Sequence, residues 1–415
     1  MKKTAMILAF FACLGNGSRA FAAQSTIDVV PAATLLLPYF EVDLQEQETV
    51  TTLFSINNAS ATAVLAHVTV WSDWSVPVLD FDVYLTGYDV QTINLREVLL
   101  GGNLPVTASA GQDPKDTLSP QGPVSQDINF ASCVNTLPYQ NPAISPAFKA
   151  HLQAALKGLK SPATGRCYGE PYGDNIVRGY VTVDTVTACN LFFASDWAFY
   201  SVFITSQNVL WGDYFYVNAT ENFAQGDNLV HIEAFPQGFV PGDHTFYGRY
   251  NSGTAADFRE ALPTTLAARY LNGGVFTGGT SLITWREGSN AAASVTCTTS
   301  RPSWYPLPFT QVVFFDEEEQ VVENPPCPSG DPTCDSEIAG IEAERWDVSL
   351  FALPFDFGWA YFNMQHSEVL PIYGDIYAQA WMTTVMDASG RFSVGFAGIQ
   401  LDNANTPNTA IIPVP

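Results

Sequence analysis

Apolar and polar residues alternate one for one in stretch after stretch of this chain, a period that fits extended strands with one face turned inward. From Ala63 to Trp71 the order is Ala-Val-Leu-Ala-His-Val-Thr-Val-Trp. From Leu79 to Leu85 the chain puts Phe81, Val83 and Leu85 on one face and Asp80, Asp82 and Tyr84 on the other. The same grammar predicts half-buried strands over 179–184, 209–217, 229–235, 311–315, 348–353, 359–364, 378–385 and 392–399. Turn-forming runs such as Asn57-Asn58-Ala59-Ser60 and Asp387-Ala388-Ser389-Gly390 separate them, and 27 Pro and 30 Gly add punctuation. Short strands at this spacing predict antiparallel sandwiches, not alternating strand and helix.

At 415 residues the chain is long enough for two domains. Blocks of it recur in order. Pro31-Ala-Ala-Thr-Leu35 and Thr52-Leu-Phe-Ser-Ile56 are echoed by Pro263-Thr-Thr-Leu266 and Thr280-Ser-Leu-Ile-Thr284. Val68–Asp73 matches Val312–Asp316, Leu79–Val83 meets Trp346–Leu350, Gly179–Asp184 meets Gly358–Asn363, and Val209-Leu-Trp211 meets Gln379-Ala-Trp381. Because strands resemble one another by composition, chance competes with duplication for each short block. A real repeat gives two copies of one sandwich: 23–253, with an insertion at about 101–175, and 254–405, followed by a tail over 406–415. The insertion carries one helix signal. Ser145-Pro146 supplies a cap and a first-turn proline, and Phe148, Leu152, Leu156 and Leu159 recur at helical spacing.

The pattern Thr52-Leu-Phe-Ser-Ile-Asn57, a polar turn, Ala66-His-Val-Thr-Val70 and then Leu79–Leu85 resembles the immunoglobulin-like sandwich modules of uncharacterised exported bacterial proteins. The resemblance covers about a fifth of the chain and implies architecture alone. The expected fold is all-β: two immunoglobulin-like antiparallel β-sandwiches, the first with a partly helical, disulfide-bounded insertion.

The N-terminus predicts the compartment. Met1-Lys2-Lys3, an apolar run from Ala5 to Leu14 and Ala20-Phe21-Ala22 have the layout of a secretory signal cleaved after residue 22. A competing reading makes Cys13 a lipid-attachment site, although Phe10 stands where leucine is usual. The apolar run is about half of the ~20 residues a spanning helix needs, so no transmembrane helix is expected in the mature chain. A membrane β-barrel is disfavoured by prolines within the apolar stretches and by the ending Ile411-Ile-Pro-Val-Pro415.

Cys133, Cys167, Cys189, Cys297, Cys327 and Cys334 remain after cleavage, an even number suited to bridges in an oxidising compartment. Locality pairs Cys327 with Cys334 and Cys133 with Cys167, leaving Cys189 for Cys297, where it would join the copies. Free buried thiols are the competing reading.

The chemistry legible in the sequence is sparse. With 17 basic against 41 acidic residues and a net charge of -24, nucleic acid is excluded as a partner. There is no phosphate loop, nucleophile elbow, H-E-x-x-H, EF-hand spacing or C-x-x-C. His67, His151, His231, His244 and His366 are scattered and read as structural. Asp80 and Asp82 share a strand face, where like charges repel unless solvated or bridged by a cation, and Asp316 and Glu317 open an acidic run between two apolar strands. Their plain reading is a wet strand face and a hairpin turn; their sharper one is calcium, the sole cofactor these residue types suggest. Trp71, Trp74, Trp304 and Tyr305 stand in turn-like sequence, where rings could stack on sugars or anchor proteins if they do not fill the core. The expectation is an exported, non-catalytic surface, periplasmic or matrix protein that binds envelope or extracellular macromolecules, glycans among them. Its rival is a glycoside-active enzyme using paired carboxylates beneath the insertion.

Overall fold

The computed structural model describes residues 27–45, 49–105, 143–273, 279–288, 294–297, 301–302, 304–323, 340–351, 353–365, 378–388, 393–408 and 410–413. The expected signal over 1–22, Cys13, Cys133, Cys327, Cys334, His366 and the middle of the insertion lie outside them.

The chain is all-β. In the first half run β1 (Thr34–Asp43), β2 (Thr51–Asn58), β3 (Val64–Ser72), β4 (Pro77–Leu85), β5 (Val90–Asn94), β6 (Arg166–Cys167), β7 (Ile176–Val186), β8 (Leu210–Trp211), β9 (Asp213–Asn218), β10 (Phe223–Asn228) and β11 (Val230–Ile232). After a connector, β12 (Thr265–Leu271), β13 (Thr280–Arg286), β14 (Val295–Thr296), β15 (Gln311–Asp316), β16 (Val321–Glu323), β17 (Ala343–Asp347), β18 (Phe357–Asn363), β19 (Ala380–Asp387), β20 (Ser393–Ala397) and β21 (Ile399–Gln400) follow. The 348–353 stretch, although it alternates, makes a 3-10 turn over Val348–Leu350 in place of a strand.

Antiparallel sheets β11-β1-β7-β3-β4 and β10-β9-β2-β5 form the first sandwich, and β16-β15-β18-β12-β21 and β17-β13-β19-β20 form the second. Read from the matching edge, β21-β12-β18-β15-β16 repeats β11-β1-β7-β3-β4, and β20-β19-β13-β17 repeats β10-β9-β2-β5. The duplication reaches single residues. Thr34 sits opposite Asp184 as Thr265 sits opposite Asn363, and Ser72 opposite Gly179 as Asp316 opposite Gly358. Trp71 stacks on Tyr180 (centroids 5.5 Å, planes 4° apart) where Phe315 stacks on Trp359 (4.4 Å, 12°). One matched block needs correcting. The counterpart of β4 is β16, and Trp346 lies in β17, which answers to β5.

Half-buried strands were expected, but several are buried on both faces. Along β13, Leu282 joins the core of the second sandwich, whereas Ile283 and Trp285 join the core of the first. Along β19, Met382 goes to the second core and Trp381 and Val385 to the first. The sheet holding them is therefore the shared wall of the two bodies. In the first sandwich the connector and the segment before β8 roof the outer face of the β1-β7-β3-β4 sheet with Phe199, Tyr200, Phe246, Tyr247 and Tyr250. Each such side chain taken out of water contributes about 1.5–3 kcal/mol.

The helix expected in the insertion is present. A helix, α1 (Pro146–Ala155), starts at Ser145, whose hydroxyl accepts the Phe148 N–H at 3.2 Å, and it buries Leu152 against the first core. The cysteine pairing is different from that expected. Cys167 is bridged to Cys297, 130 residues on, which overturns both Cys133–Cys167 and Cys189–Cys297. The bridge flanks the β6–β14 pair and so ties the insertion to the second half of the chain. Cys189 is disulfide-bonded as well.

Candidate functional site

Alternation in β3 turns His67, Thr69 and Trp71 to the roofed face, and the strand register sets Asp82 and Asp184 on either side of His67. The His67 Nδ1 lies 2.9 Å from Asp82 Oδ1, and its Nε2 faces Asp80 Oδ2 at 3.9 Å. Burial on its own lowers the His67 pKa, but the Asp82 hydrogen bond and the charges of Asp82, Asp80 and Asp184 outweigh it and raise it. The side chain that stands between Asp80 and Asp82 is thus a histidine from the neighbouring strand. Among the described residues no group of three or more His, Cys, Asp or Glu is disposed to hold a metal. Next along the face, Asp184 accepts from the Thr34 hydroxyl and, at 2.7 Å, from Tyr247 Oη, while Arg259 Nη2 lies 3.7 Å away.

A second polar cluster fills the seam between the bodies. Glu342, fully buried, accepts from Arg249 Nη2 at 2.6 Å, from Tyr305 Oη at 3.1 Å and from the Ser75 hydroxyl, which in turn receives Tyr180 Oη at 2.7 Å. Nearby, Gln379 Nε2 donates to Glu287 Oε2 at 3.1 Å, and burial raises the Glu287 carboxyl to about 7. The Arg286 guanidinium donates to the carbonyls of Leu307 at 3.1 Å and Met364 at 3.0 Å, and burial lowers its pKa to about 10. Beneath the insertion, Asp73 accepts the Glu170 N–H at 3.1 Å while Glu170 pairs with Arg301 at 2.8 Å. Those carboxylates fasten one segment to another, and Asp73 is buried, a poor arrangement for meeting a glycosidic bond.

The aromatic residues singled out in the sequence are mostly interior. Trp71, Trp74 and Tyr305 are buried and Trp304 is half-buried. Trp71 Nε1 donates to Thr182 Oγ1 at 2.9 Å, and Trp74 stacks on Tyr305 with centroids 6.1 Å apart. The correction has a simple cause. The turns at 72–75 and 302–308, remote in sequence, fold against each other and bury each other's rings in one small apolar cluster.

An open site lies elsewhere, on the outer face of the second sandwich. A cleft of about 310 Å³ is floored by Ala267 and Trp359 and walled by Phe357, Ile399, Arg269 and the Asp316-Glu317 pair. An adjoining hollow of about 340 Å³ adds Glu318, Gln320 and Asp356. Asp316 Oδ1 accepts the N–H groups of Glu318 and Gln320, each at 2.8 Å, which closes the hairpin and fixes the acidic rim. The four acidic candidates therefore part company: Asp80 and Asp82 clamp a buried histidine in the first sandwich, and Asp316 and Glu317 border the cleft in the second. Trp359, Phe357 and Ile399 were not singled out by the sequence reading, although the repeat aligned Trp359 with Tyr180. An apolar floor beside fixed carboxylates can take the face of a ring or an apolar protein patch. Compared with family models, curated proteins and solved structures, the chain finds no match.

Proposed function

We propose that the chain is an exported, non-catalytic envelope or extracellular protein that works by binding, and that the Trp359 face is its working surface. The observation carrying this reading is the division of labour among side chains. The ionisable clusters of the interior are spent on holding strands, connector and bodies together, whereas large apolar groups stand open around Trp359. Export rests on the cationic start, apolar run and small residues of 1–22, and the Cys167–Cys297 bridge suits an oxidising compartment. Glycans are a second class of ligand for the same face, favoured by an aromatic floor next to the Asp316-Glu317 rim.

Fractionation of producing cells tests the proposal. The mature chain is expected in the envelope or the medium, and a Trp359→Ser, Phe357→Ser variant is expected to shift from the envelope-bound to the freely soluble fraction. Retention by a glycan column that the variant loses would assign the face to sugars. A cytosolic chain, or a variant that partitions as the wild type does, would overturn the reading.

A further inference from the structure

The duplication permits a more specific statement about what the Trp359 face binds, resting on the reading just given. Inside the chain, one sheet face already covers another. The outer face of the β17-β13-β19-β20 sheet buries Ala343, Ile283, Trp285, Trp381 and Val385 in the core of the first sandwich. There Trp285 meets Tyr180 edge-on at 6.0 Å, while Tyr250 tilts against Trp71 at 5.6 Å. The stacked pair Trp71–Tyr180 is thus covered, partly by the second body.

Each half of that contact has a more open twin. The twin of the covered pair is Phe315–Trp359, where Phe315 is buried and Ile412 packs alongside, but Trp359 is half-buried and is bordered by Phe357 at 48% exposure and Ile399 at 53%. The twin of the covering face follows from register. Trp285 lies between Trp381 and Ala343, as Asn57 lies between Trp211 and Val90; Ser281 lies opposite Val385, as Leu53 lies opposite Phe215. On this outer face of the first sandwich Phe215 is 49% and Val90 56% exposed, though they answer to the buried Val385 and Ala343. One chain therefore carries an open face of the covering kind and, beside the Ile412 contact, a partly open face of the covered kind.

We propose that the occupant of the Trp359 face is a second copy of this chain, docked through the outer face of its β10-β9-β2-β5 sheet around Phe215 and Val90. The two patches are different surfaces, so the contact is heterologous and continues head to tail from copy to copy, into a ring or an open filament. Net charge opposes it: at -24 each copy repels the next, and the cleft rim is itself acidic. Salt shortens the reach of that repulsion and leaves apolar contact intact, so association strengthens with ionic strength.

Sedimentation of the purified, oxidised full chain tests the proposal, with Ile399→Asp blocking one face and Phe215→Asp the other. Both positions are about half exposed, and Phe357→Asp and Val90→Asp serve as replacements if either variant loses its near-ultraviolet circular dichroism. The wild type is expected to grow beyond a dimer as its concentration rises over about 1 to 100 µM, more so at about 0.3 M salt. Each variant alone is expected to stay monomeric, because every contact needs one intact face of each kind. An equimolar mixture of the two is expected to form dimers and stop there. A wild type that is monomeric throughout, a single variant that associates like the wild type, or a mixture without dimers would overturn self-docking. A monomeric wild type whose envelope retention still depends on Trp359 would leave the binding reading standing with a different partner.

Discussion

Glu287 has no exposed surface, and burial lifts its carboxyl from an ordinary 4.5 to about 7. Asp257, raised to about 6, and Glu260, raised to about 8, share the cause: carboxyl groups removed from water faster than positive partners are supplied. The sign follows from proton binding. The folded chain holds the Glu287 proton more tightly than the unfolded one, so this stabilising contribution is complete below about 4.5 and is lost as the pH rises through about 7. A shift of that size corresponds to a contribution on the order of 3 kcal/mol. Glu287→Gln keeps the shape and removes the titration. Urea midpoints are expected to match the wild type more closely at pH 5 and to exceed it at pH 8; a variant as pH-sensitive as its parent would remove the argument.

Strands carry the duplication, and two glycines carry it most sharply. A Cβ on Gly179 would run into the carbonyl oxygen of Trp71, and one on Gly358 into that of Phe315, at the same register point in each sandwich. Backbone cannot yield as a side-chain tip can, so Gly179→Ala and Gly358→Ala are each expected to cost about 2–4 kcal/mol in denaturant unfolding. Losses below about 0.5 kcal/mol, the range of a neutral surface change, would show that the strands approach less closely than described. This level was also the most legible one. Alternation is written into neighbouring residues, so β3, β4, β15 and β18 could be read where they stand, and most repeat blocks fell on true counterparts. The failures were questions of who faces whom. Val348–Leu350 alternates yet turns, Trp74 and Tyr305 bury each other across a long separation, and Cys167 finds Cys297 rather than a near neighbour. Asp80 and Asp82 were read as a wet strand face or a calcium site, but nothing in β4 itself says that His67 of β3 stands between them. Trp359 went unnoticed for a related reason: its twin Tyr180 is covered, and coverage is decided by a second body, not by the strand's own sequence.

Two sandwiches on one chain usually meet through a modest polar contact and move independently. Here β13 and β19 are buried on both faces, because one face belongs to each core, and detaching the second body would bare Trp285, Trp381 and Ile283 together. The seam adds Arg249 from the connector on Glu342 at the threshold of β17, both sealed from water. A buried pair of this kind need not stabilise relative to apolar residues of the same shape, but losing one partner strands the other charge at a cost of about 3–5 kcal/mol. Arg249→Met is therefore expected to strand Glu342, which keeps the hydrogen bonds of the Tyr305 and Ser75 hydroxyls but loses its ion pair. Because Glu342 serves both bodies, the penalty should fall on both at once: a scanning calorimeter should record one unfolding transition for the wild type and one, at lower temperature, for the variant. Two separated transitions in the wild type would mean that the shared wall does not couple the sandwiches. A variant in which one sandwich melts early and the other keeps its original midpoint would place the weakness in a single body and deny the seam its joining role.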